Sequence, residues 1–391
     1  MSHSSFPSLA ETLPIDHDHA VLIGRVWVPG EGPYLVKVNA TETTDLSGLA
    51  LTSSDLMEMD NAAARVQQHR GKTCSTETIW NNTDPKQRHE DQAWFLAPTD
   101  LQAIKAAGVT FVASMLERVI EEQARGDAAK AESVRKAVID VMGDNLRNVK
   151  PGSPQAMKLK EVLVAQGVWS QYLEVGIGPD AEIFTKSQAM SAVGSGFDVG
   201  LHPGSSWNNP EPEIVLVINS KGHVVGAAMG NDVNLRDFEG RSALLLGKAK
   251  DNNASCAIGP FIRLFDGQYT IDSVRNTDLS MAVHGPEGFV MQGSSSLSQI
   301  SRDPLDLAAQ AIGPYHQYPD GLVLFLGTMF APTQDRHGPG QGFTHVVGDT
   351  VAITTPQLGT LFNRVTTSDQ APAWTYGIRA LMQDLTKRSS H

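Results

Sequence analysis

The chain has 391 residues, of which 41 % are hydrophobic and 19 % are charged, a composition typical of a globular enzyme with one large and one smaller domain. Its net charge of −12 disfavours nucleic acid as a partner, although a local site can still bind a small anion. The two cysteines, Cys74 and Cys256, provide no disulfide framework and suit a reducing compartment. Since no secretory leader pattern and no apolar run near 18 residues is found, we expect a cytoplasmic protein that does not enter a membrane.

The N-terminal part of the chain predicts a tail and a small domain. Residues 1–18 are expected to be a disordered tail, and residues 19–95 a small α/β domain. Two strands are predicted in "AVLIGRVWV" and "YLVKV", joined by the turn "PGEG". A helix is predicted over residues 53–68, with Ser53 or Ser54 as its N-cap. The polar, aperiodic stretch that follows predicts a long loop up to about residue 92.

Residues 113–143 have the periodicity of two helices. The first helix is predicted to end at Gly126, with one apolar face formed by Leu116, Val119 and Ile120. The second is predicted to end at Gly143, with an apolar face formed by Ala131, Val134, Val138 and Val141. After residue 170, short apolar segments alternate with glycines and prolines, a pattern that favours a β-rich domain.

An acidic cluster is predicted around the segment "NNPEPEIVLVI". Glu211 and Glu213 directly precede a buried strand over 214–218, and side chains two residues apart point to the same face of a strand. The turn "NSKG" and the next strand form a hairpin that would return Asp232 to the start of the first strand. Three carboxylates on rigid backbone suit a hard divalent cation such as Mg²⁺. The alternative is that the two glutamates are strand-end residues in salt bridges.

The segment "RSALLLGKAKDNNASCAIGP" follows the hairpin. A helix is predicted to end near Lys248, with Lys250 just beyond it and a turn at Gly259–Pro260. A lysine beside a metal site can hold a carboxylate or stabilise an enolate, although a solvated surface lysine is the alternative. Arg236 could bind substrate or orient Asp237, and Cys256 is predicted to be a buried structural thiol.

Several of these motifs, taken in order, resemble the fumarylacetoacetate hydrolase family. The segments are "EPEIVLVI", "GAAMGNDVNLRD", "KDNNASCAIGP" and "PDGLVLFLGTMFAP", and the resemblance covers residues 100 to 385 approximately. Within the family, the chain is most similar to the bacterial 2-keto-3-deoxypentonate dehydratases, which act on 2-keto-3-deoxy-D-xylonate or D-arabinonate. The segments "WSQYLEV" and "SSWNNPEPE", and an extra N-terminal part of similar length, carry this narrower likeness.

The resemblance implies an α+β fold, a mixed β-roll of the fumarylacetoacetate hydrolase C-terminal type over residues 96–391. It implies a Mg²⁺, with Mn²⁺ as the alternative ion, held by Glu211, Glu213 and Asp232. It also implies that Lys250 and Thr328 contact the oxo-acid end of a small-molecule substrate. Members of the family are commonly dimers, so we expect a homodimer or a higher homo-oligomer.

One departure from the family pattern is informative. Its carbon–carbon hydrolases carry a "NYxxHxxE"-like segment whose histidine and glutamate activate water, and "TFVASMLE" stands at the corresponding position here. Phe111 matches the aromatic residue and Glu117 the acid, but Ser114 replaces the histidine. A serine is no base near neutral pH without help, so this segment favours a dehydratase. Alternatively, Ser114 is only the N-cap of a helix, with Glu117 completing a capping box.

The implied reaction converts a 2-keto-3-deoxypentonate to 2,5-dioxopentanoate in non-phosphorylative pentose catabolism, in the degradation of D-xylose or L-arabinose. Glu117 is the predicted acid–base residue, Ser114 would orient a water or the C4 hydroxyl, and Lys250 would neutralise developing negative charge. Phe111 and Arg236 are predicted to contact substrate as well, and the loop over residues 316–321 is a candidate cover for the pocket. A hydrolase that cleaves a 2,4-diketo acid to pyruvate and a second acid remains an alternative, as does a binding protein without catalysis.

Overall fold

A computed structural model of the chain describes residues 5–127, 130–131, 149–165, 167, 169–330 and 332–389. The first predicted helix is present as Val112–Gln123, with Val119 and Ile120 fully buried. The second predicted helix falls largely outside the described residues, which do not include Val134, Val138 and Val141.

Within the described residues, eighteen strands alternate with helices. Strands β1 to β9 span Leu22–Val28, Gly32–Val38, Glu42–Asp45, Thr73–Ser75, Trp94–Leu96, Ala103–Gly108, Glu182–Ser187, Asp198–Leu201 and Asn208–Asn209. Strands β10 to β18 span Pro212–Ile218, Val224–Asp232, Asn234–Leu235, Cys256–Leu264, Asp278–His284, Val290–Ser296, Leu322–Phe325, Thr350–Thr355 and Gly359–Thr367.

The described helices are short. Helices α1 to α6 span Leu9–Thr12, Ser53–Met57, Ala62–Gln68, Thr76–Asn81, Val112–Gln123 and Pro154–Ala165. Helices α7 to α12 span Gln171–Ile177, Arg236–Glu239, Leu246–Lys250, Ile271–Arg275, Pro304–Ala311 and Ile378–Ser389, with 3₁₀ turns at Ala243–Leu245 and Leu297–Gln299. No helix in the described part of the chain is both long and apolar enough to span a membrane.

The described strands form three sheets. The largest runs in the order β4-β3-β2-β1-β13-β11-β10-β16-β6-β7, with β5 paired to β1. A second sheet runs β15-β14-β17-β18-β8, and β12 pairs with β9 alone. The β16–β6 and β18–β8 pairs are parallel, whereas the other pairs are antiparallel. This mixture of sheets and helices is the α+β fold that the sequence predicts.

Strand β10 lies at the centre of the large sheet and is buried on both faces. Ile214, Leu216 and Ile218 point into one apolar cluster. Val215 and Val217 point into a second cluster on the opposite face. The β-branched run therefore becomes a rigid central strand, and its N-terminal end holds the predicted acidic residues in place.

Two predictions for the N-terminal part are wrong. Residues 5–18 belong to the packed structure rather than to a disordered tail, because helix α1 lies against β18 and α4. Asp16 also accepts two hydrogen bonds from the buried Arg263, at 2.7 and 2.6 Å. The predicted long loop after residue 68 contains β4 and α4, and Ser75 caps α4 by accepting from the backbone N–H of Thr78. The predicted hairpin of β1 and β2 is confirmed.

Gly230 faces the acidic end of β10, and its lack of a side chain is required by the packing there. A Cβ at this position would lie 2.2 Å from the ring of Phe325 and 2.8 Å from a methyl of Val215. We expect Gly230→Ala to lower the free energy of unfolding by about 1–3 kcal/mol through overpacking, measured by urea denaturation. Gly267→Ala is the matched control, because no atom lies within 4 Å of its Cβ position, and an equal loss in both variants would contradict the packing explanation.

Candidate active site

Glu211, Glu213 and Asp232 meet at the start of strand β10. Glu213 lies opposite Gly230 of β11, and the backbone N–H of Asp232 donates to the carbonyl of Glu211 at 3.0 Å. Residues that face each other across an antiparallel pair project to the same side. One oxygen from each of the three buried carboxylates therefore lies within 4.8 Å of the others. The hairpin that the sequence predicts is therefore confirmed, and it brings Asp232 beside Glu211 and Glu213.

Two lysines neutralise part of this acidic cluster. The Lys250 ammonium lies 2.5 Å from Glu211 and 3.2 Å from Asp232, and the Lys186 ammonium lies 2.9 Å from the other oxygen of Asp232. Burial opposes ionisation of Asp232, but the two lysines hold its pKa below the usual range. Burial would likewise lower the pKa of Lys250, but Asp232 and Glu211 raise it above the usual value. Lys250 therefore remains charged.

Arg118 of helix α5 joins the cluster from the opposite side. Its guanidinium donates to Glu211 and, at 2.6 Å, to Glu121 of the same helix, and it lies 3.1 Å from Glu239 of α8. Arg236 lies 3.1 Å from the other oxygen of Glu121. These ion pairs bind α5 and α8 to the metal-binding end of β10.

Glu213 differs from its neighbours because it has no cationic partner among the described residues. Its carboxylate accepts a hydrogen bond from the backbone N–H of Gly327 at 2.7 Å. Gly327 has a φ of +96°, and a Cβ there would lie 2.1 Å from the hydroxyl of Thr110, so only glycine fits. Burial, with added repulsion from Asp232 and Glu211, raises the pKa of Glu213 well above its usual range.

A small cavity of about 20 Å³ lies at the centre of the cluster, with room for about one water molecule or ion. A five-carbon substrate does not fit unless the surrounding side chains move. The cavity is lined by backbone and side chains of β6, α5, β7, β10, β11, α8 and α9, and of the segment after β16. The polar residues among them are Ser114, Arg118, Glu182, Glu211, Glu213, Asp232, Glu239, Lys250 and Thr328.

The other predicted site residues divide into two groups. Ser114 and Thr328 line the cavity, whereas Phe111, Glu117 and Arg236 are not among its lining residues. Phe111 is buried in the apolar core and is itself the N-cap of α5. Ser114 consequently lies inside the first turn, and the alternative that it caps this helix is wrong.

Of three smaller predictions, the structure contradicts the covering loop and the turn at Gly259–Pro260 and confirms that Cys256 is buried. The loop over residues 316–321 lies at the end of β10 that is remote from the carboxylates, because a Cβ on Gly321 would lie 2.6 Å from the carbonyl oxygen of Ile218. Within this chain it does not cover the cavity. Gly259–Pro260 lies inside strand β13 rather than in a turn. Cys256 is buried as predicted, and burial raises its thiol pKa to about 12.

The sequence reasoning missed four charged residues that line or support the cavity, namely Arg118, Glu182, Lys186 and Glu239. Arg118 falls four residues after Ser114, so helical spacing could have placed both on one face. Glu182 and Lys186 lie in "AEIFTK" and Glu239 in "RDFEGR", close to segments used for the resemblance. Nothing in their spacing indicates that tertiary packing brings them to the same cavity.

The charge of the cluster suits a divalent cation. Among the described residues, six carboxylates are joined by contacts or by the cavity: Glu121, Glu182, Glu211, Glu213, Asp232 and Glu239. Four cationic side chains accompany them: Arg118, Lys186, Arg236 and Lys250. With all six carboxylates ionised, the excess of two negative charges and the three converging oxygens fit an oxygen-coordinated ion of charge +2.

Residues 174–366 match the family described as Fumarylacetoacetate (FAA) hydrolase C-terminal. This segment, which contains the three carboxylates, Lys186 and Lys250, is similar to the C-terminal domain of that family. The match confirms the resemblance found in the sequence.

Two curated relatives are similar in sequence to part of the chain. The probable 2-keto-3-deoxyxylonate dehydratase of Haloferax volcanii is 29 % identical over 196 residues, which are 50 % of this chain and 64 % of that protein. The 2-dehydro-3-deoxy-D-arabinonate dehydratase of Saccharolobus solfataricus is 29 % identical over 187 residues, 47 % of this chain and 58 % of that protein. Each match thus spans less than two thirds of the relative's own length.

A solved structure shares the fold over most of the chain. It is described as 2-keto-3-deoxy-D-arabinonate dehydratase complexed with magnesium and 2,5-dioxopentanoate, and it superposes with a TM-score of 0.61 at 19 % identity. The superposition covers 88 % of this chain and 99 % of that one. The common architecture therefore includes residues outside the family segment.

Arg118 holds three carboxylates, so its removal would leave buried charges without a partner. We expect Arg118→Met to lower the free energy of unfolding by about 3–5 kcal/mol, the usual cost of breaking a buried ion pair from one side. Chemical denaturation of the purified protein measures this. Arg65→Met is the control, because Arg65 is exposed on α3 and should change stability by less than about 0.5 kcal/mol. If both variants unfold at the same denaturant concentration, the network does not support the fold.

Proposed function

We propose that this chain is a Mg²⁺-dependent dehydratase that converts a 2-keto-3-deoxypentonate to 2,5-dioxopentanoate. The observation that carries the proposal is the buried carboxylate of Glu213, which stands beside two further carboxylates without a cation of its own. The activities named for the two curated relatives, and the ligands named for the solved structure, support it. We place the reaction in non-phosphorylative pentose catabolism and expect a cytoplasmic homo-oligomer.

Glu211, Glu213 and Asp232 are the residues that would hold Mg²⁺, or Mn²⁺ in its place. All three offer carboxylate oxygens, the ligands that these hard ions prefer. When bound, the ion supplies a Lewis acid beside the C1 carboxylate and C2 ketone of the substrate, which makes the C3 protons more acidic.

The protein's own groups would act around that end of the substrate. Lys250, which remains charged beside Glu211 and Asp232, is placed to stabilise negative charge on an oxygen of the substrate. Lys186 donates to the carbonyl oxygen of Lys250 at 2.6 Å and so holds this lysine's backbone in position. Thr328 lines the cavity, and its hydroxyl donates to the carbonyl of Phe330 at 2.9 Å; this residue would contact the substrate carboxylate.

The lining of the cavity favours dehydration over hydrolytic cleavage. Ser114 lies on the helix face that meets the cavity, in the place where the hydrolases of the family carry a histidine. No histidine is found among the described residues that line the cavity. Arg118, Glu182 and Glu239 make the part beyond the triad polar and charged, which suits a hydroxylated chain better than the apolar tail of a diketo acid.

The substrate assignment is tested with purified protein and Mg²⁺. We expect 2,5-dioxopentanoate from a 2-keto-3-deoxypentonate, supplied in both C4 configurations, and no pyruvate from a 2,4-diketo acid. Semialdehyde and pyruvate are followed by separate coupled assays. Pyruvate formation without semialdehyde would replace this proposal with the hydrolase, and no turnover of either substrate would favour a binding protein.

The metal assignment predicts binding that depends on pH. The pKa of Glu213 is raised well above its usual value, so without an ion this group keeps its proton to a higher pH than an ordinary glutamate does. It must lose its proton to become a ligand. We therefore expect Mg²⁺ binding to release protons and to strengthen as pH rises, measured by titration calorimetry in buffers of different ionisation enthalpy.

The matched variants for this measurement are Glu213→Gln and Glu77→Gln. Glu213→Gln removes a ligand, so we expect its Mg²⁺ affinity to fall by more than the roughly 10- to 100-fold that loss of a supporting group causes. Glu77 is exposed on α4, at a distance from the cavity, and its variant should bind as the wild type does. Unchanged affinity in Glu213→Gln would reject the three carboxylates as the metal site.

A further inference from the structure

A larger cavity lies in the N-terminal part of the chain, separate from the acidic cluster. Its volume is about 920 Å³, against about 20 Å³ for the cavity at the metal site, and sites for small molecules usually measure about 300–1,000 Å³. It lies on one face of strands β1 to β4, and residues of helices α4 and α12 complete its lining. No residue lines both cavities.

The floor of this cavity is apolar, because alternate residues of a strand point to the same face. The apolar and aromatic side chains that form it include Val26, Val28, Tyr34, Val36 and Ile79. Val26 and Tyr34 lie directly opposite each other in the β1–β2 pair. Val26, Val36 and Ile79 belong to one buried apolar cluster. The sheet therefore offers a firm apolar surface on which the carbon chain of a ligand can lie.

Arg388 of α12 places a fixed positive charge beside this surface. Its guanidinium lies 3.8 Å from the centroid of the Tyr34 ring and donates to the carbonyls of Glu31 and Pro33 at 2.8 and 2.7 Å. These contacts hold the group without neutralising it, since it forms no ion pair with any carboxylate in the described part of the chain. Its Nε atom is buried and has no hydrogen-bond partner among the described residues.

The three carboxylates that line the cavity already accept hydrogen bonds from neighbouring side chains. They are Glu31, which accepts from Tyr34, Asp45, which accepts from Ser47, and Asp384, which accepts from Tyr376 and Lys387. Because Lys72, Lys387 and Arg388 also line the cavity, its formal charge is zero, and a preference for an anion depends on Arg388. The missing partner of its buried N–H is an acceptor, and an anionic acceptor gives the stronger bond.

We propose that this cavity binds an amphipathic monocarboxylate, with the carboxylate on Arg388 and the carbon chain on the apolar floor. Strands β2, β3 and β4 together span about 10 Å at the usual spacing of strands. An extended chain of medium length, such as that of octanoate, therefore reaches from Arg388, beside β2, to Cys74 on β4. Cys74 is exposed and lines the cavity.

The first test measures binding of octanoate to the purified protein by titration calorimetry. Butyrate has the same head group without the long chain, and 1-octanol has the chain without the carboxylate. We expect octanoate to bind, and each of the other two probes to bind at least about tenfold more weakly, because each lacks one of the two contacts. Equal affinity for all three probes, or no binding of octanoate, overturns the proposal.

Two variants test whether the probe occupies this cavity. Arg388→Gln should weaken octanoate binding by about 10- to 100-fold, the range for a hydrogen bond to a charged group, and should leave the affinity for 1-octanol unchanged. Arg379→Gln is the matched control, because Arg379 is exposed on the same helix and does not line the cavity. Cys74→Trp fills the cavity from an exposed position and should also weaken octanoate binding, even if Arg388→Gln does not fold. Unchanged octanoate affinity in either folded variant rejects the assignment.

Alkylation of Cys74 reports where the probe lies. Cys256, the other cysteine of the chain, is buried, so iodoacetamide should modify Cys74 alone. We expect this reaction, followed by mass spectrometry, to slow about tenfold when octanoate is present at about ten times its dissociation constant. An unchanged rate contradicts the proposal. Slow alkylation without a probe that becomes faster on dilution of the protein would show that a second copy of the chain covers the cavity, and the ligand assignment would fail.

This inference does not depend on the proposed dehydratase function, because the two cavities share no residue. Octanoate should bind to Glu213→Gln as it binds to the wild type. A loss of octanoate binding in Glu213→Gln would place its carboxylate in the acidic cavity and would overturn the inference, whereas absence of turnover with every 2-oxo acid would reject the proposed function alone.

Discussion

The placement of negative charge inside the protein is the constraint on which the rest of this structure depends. Several carboxylates are withdrawn from water at one end of the large sheet, and each such charge costs several kcal/mol unless a cation compensates it. Arginine and lysine from α5, β7 and α9 provide that compensation for most of them. Among the described residues, Glu213 and Glu182 are the carboxylates of the cavity without a cationic partner. Glu213 is the one that we propose to bind an external cation, so an unbalanced charge coincides with the proposed chemistry.

The fold holds these charges in place through backbone rather than through loops. Strand β10 has apolar clusters on both faces, so its acidic end cannot shift without disturbing the core. Glycines create the close approaches that the site needs. Gly230 admits Phe325 beside the strand, Gly108 admits the Glu182 carboxylate, and Gly327 turns its N–H toward Glu213. Rigid support of this kind limits the reorganisation that a bound substrate would otherwise require.

The sequence alone is sufficient to predict the features that follow from local spacing. The two-residue period of a strand and a tight turn were enough to bring Glu211, Glu213 and Asp232 together, because both are short-range effects. Glu182 and Arg118 could not be found in this way, since their approach to the triad depends on how β7 and α5 pack, and no periodicity encodes that contact. The same reason explains the N-terminal error. Half of residues 5–18 are polar, and the segment is ordered by its contacts with β18, α4 and Arg263.

The pairing of β1 with β13 has a consequence for the way this protein is made. Leu22 is hydrogen-bonded in the large sheet beside Arg263, and Asp16 is held by that same arginine. On a ribosome that adds about 5–20 residues per second, β1 to β4 emerge long before the strand that completes their sheet. The edge of β1 that receives β13 therefore stays open through most of translation, a period in which chaperones or premature pairing with other chains compete for it. Closure of the sheet must wait for this long-range contact, which costs more chain entropy than the hairpins between neighbouring strands.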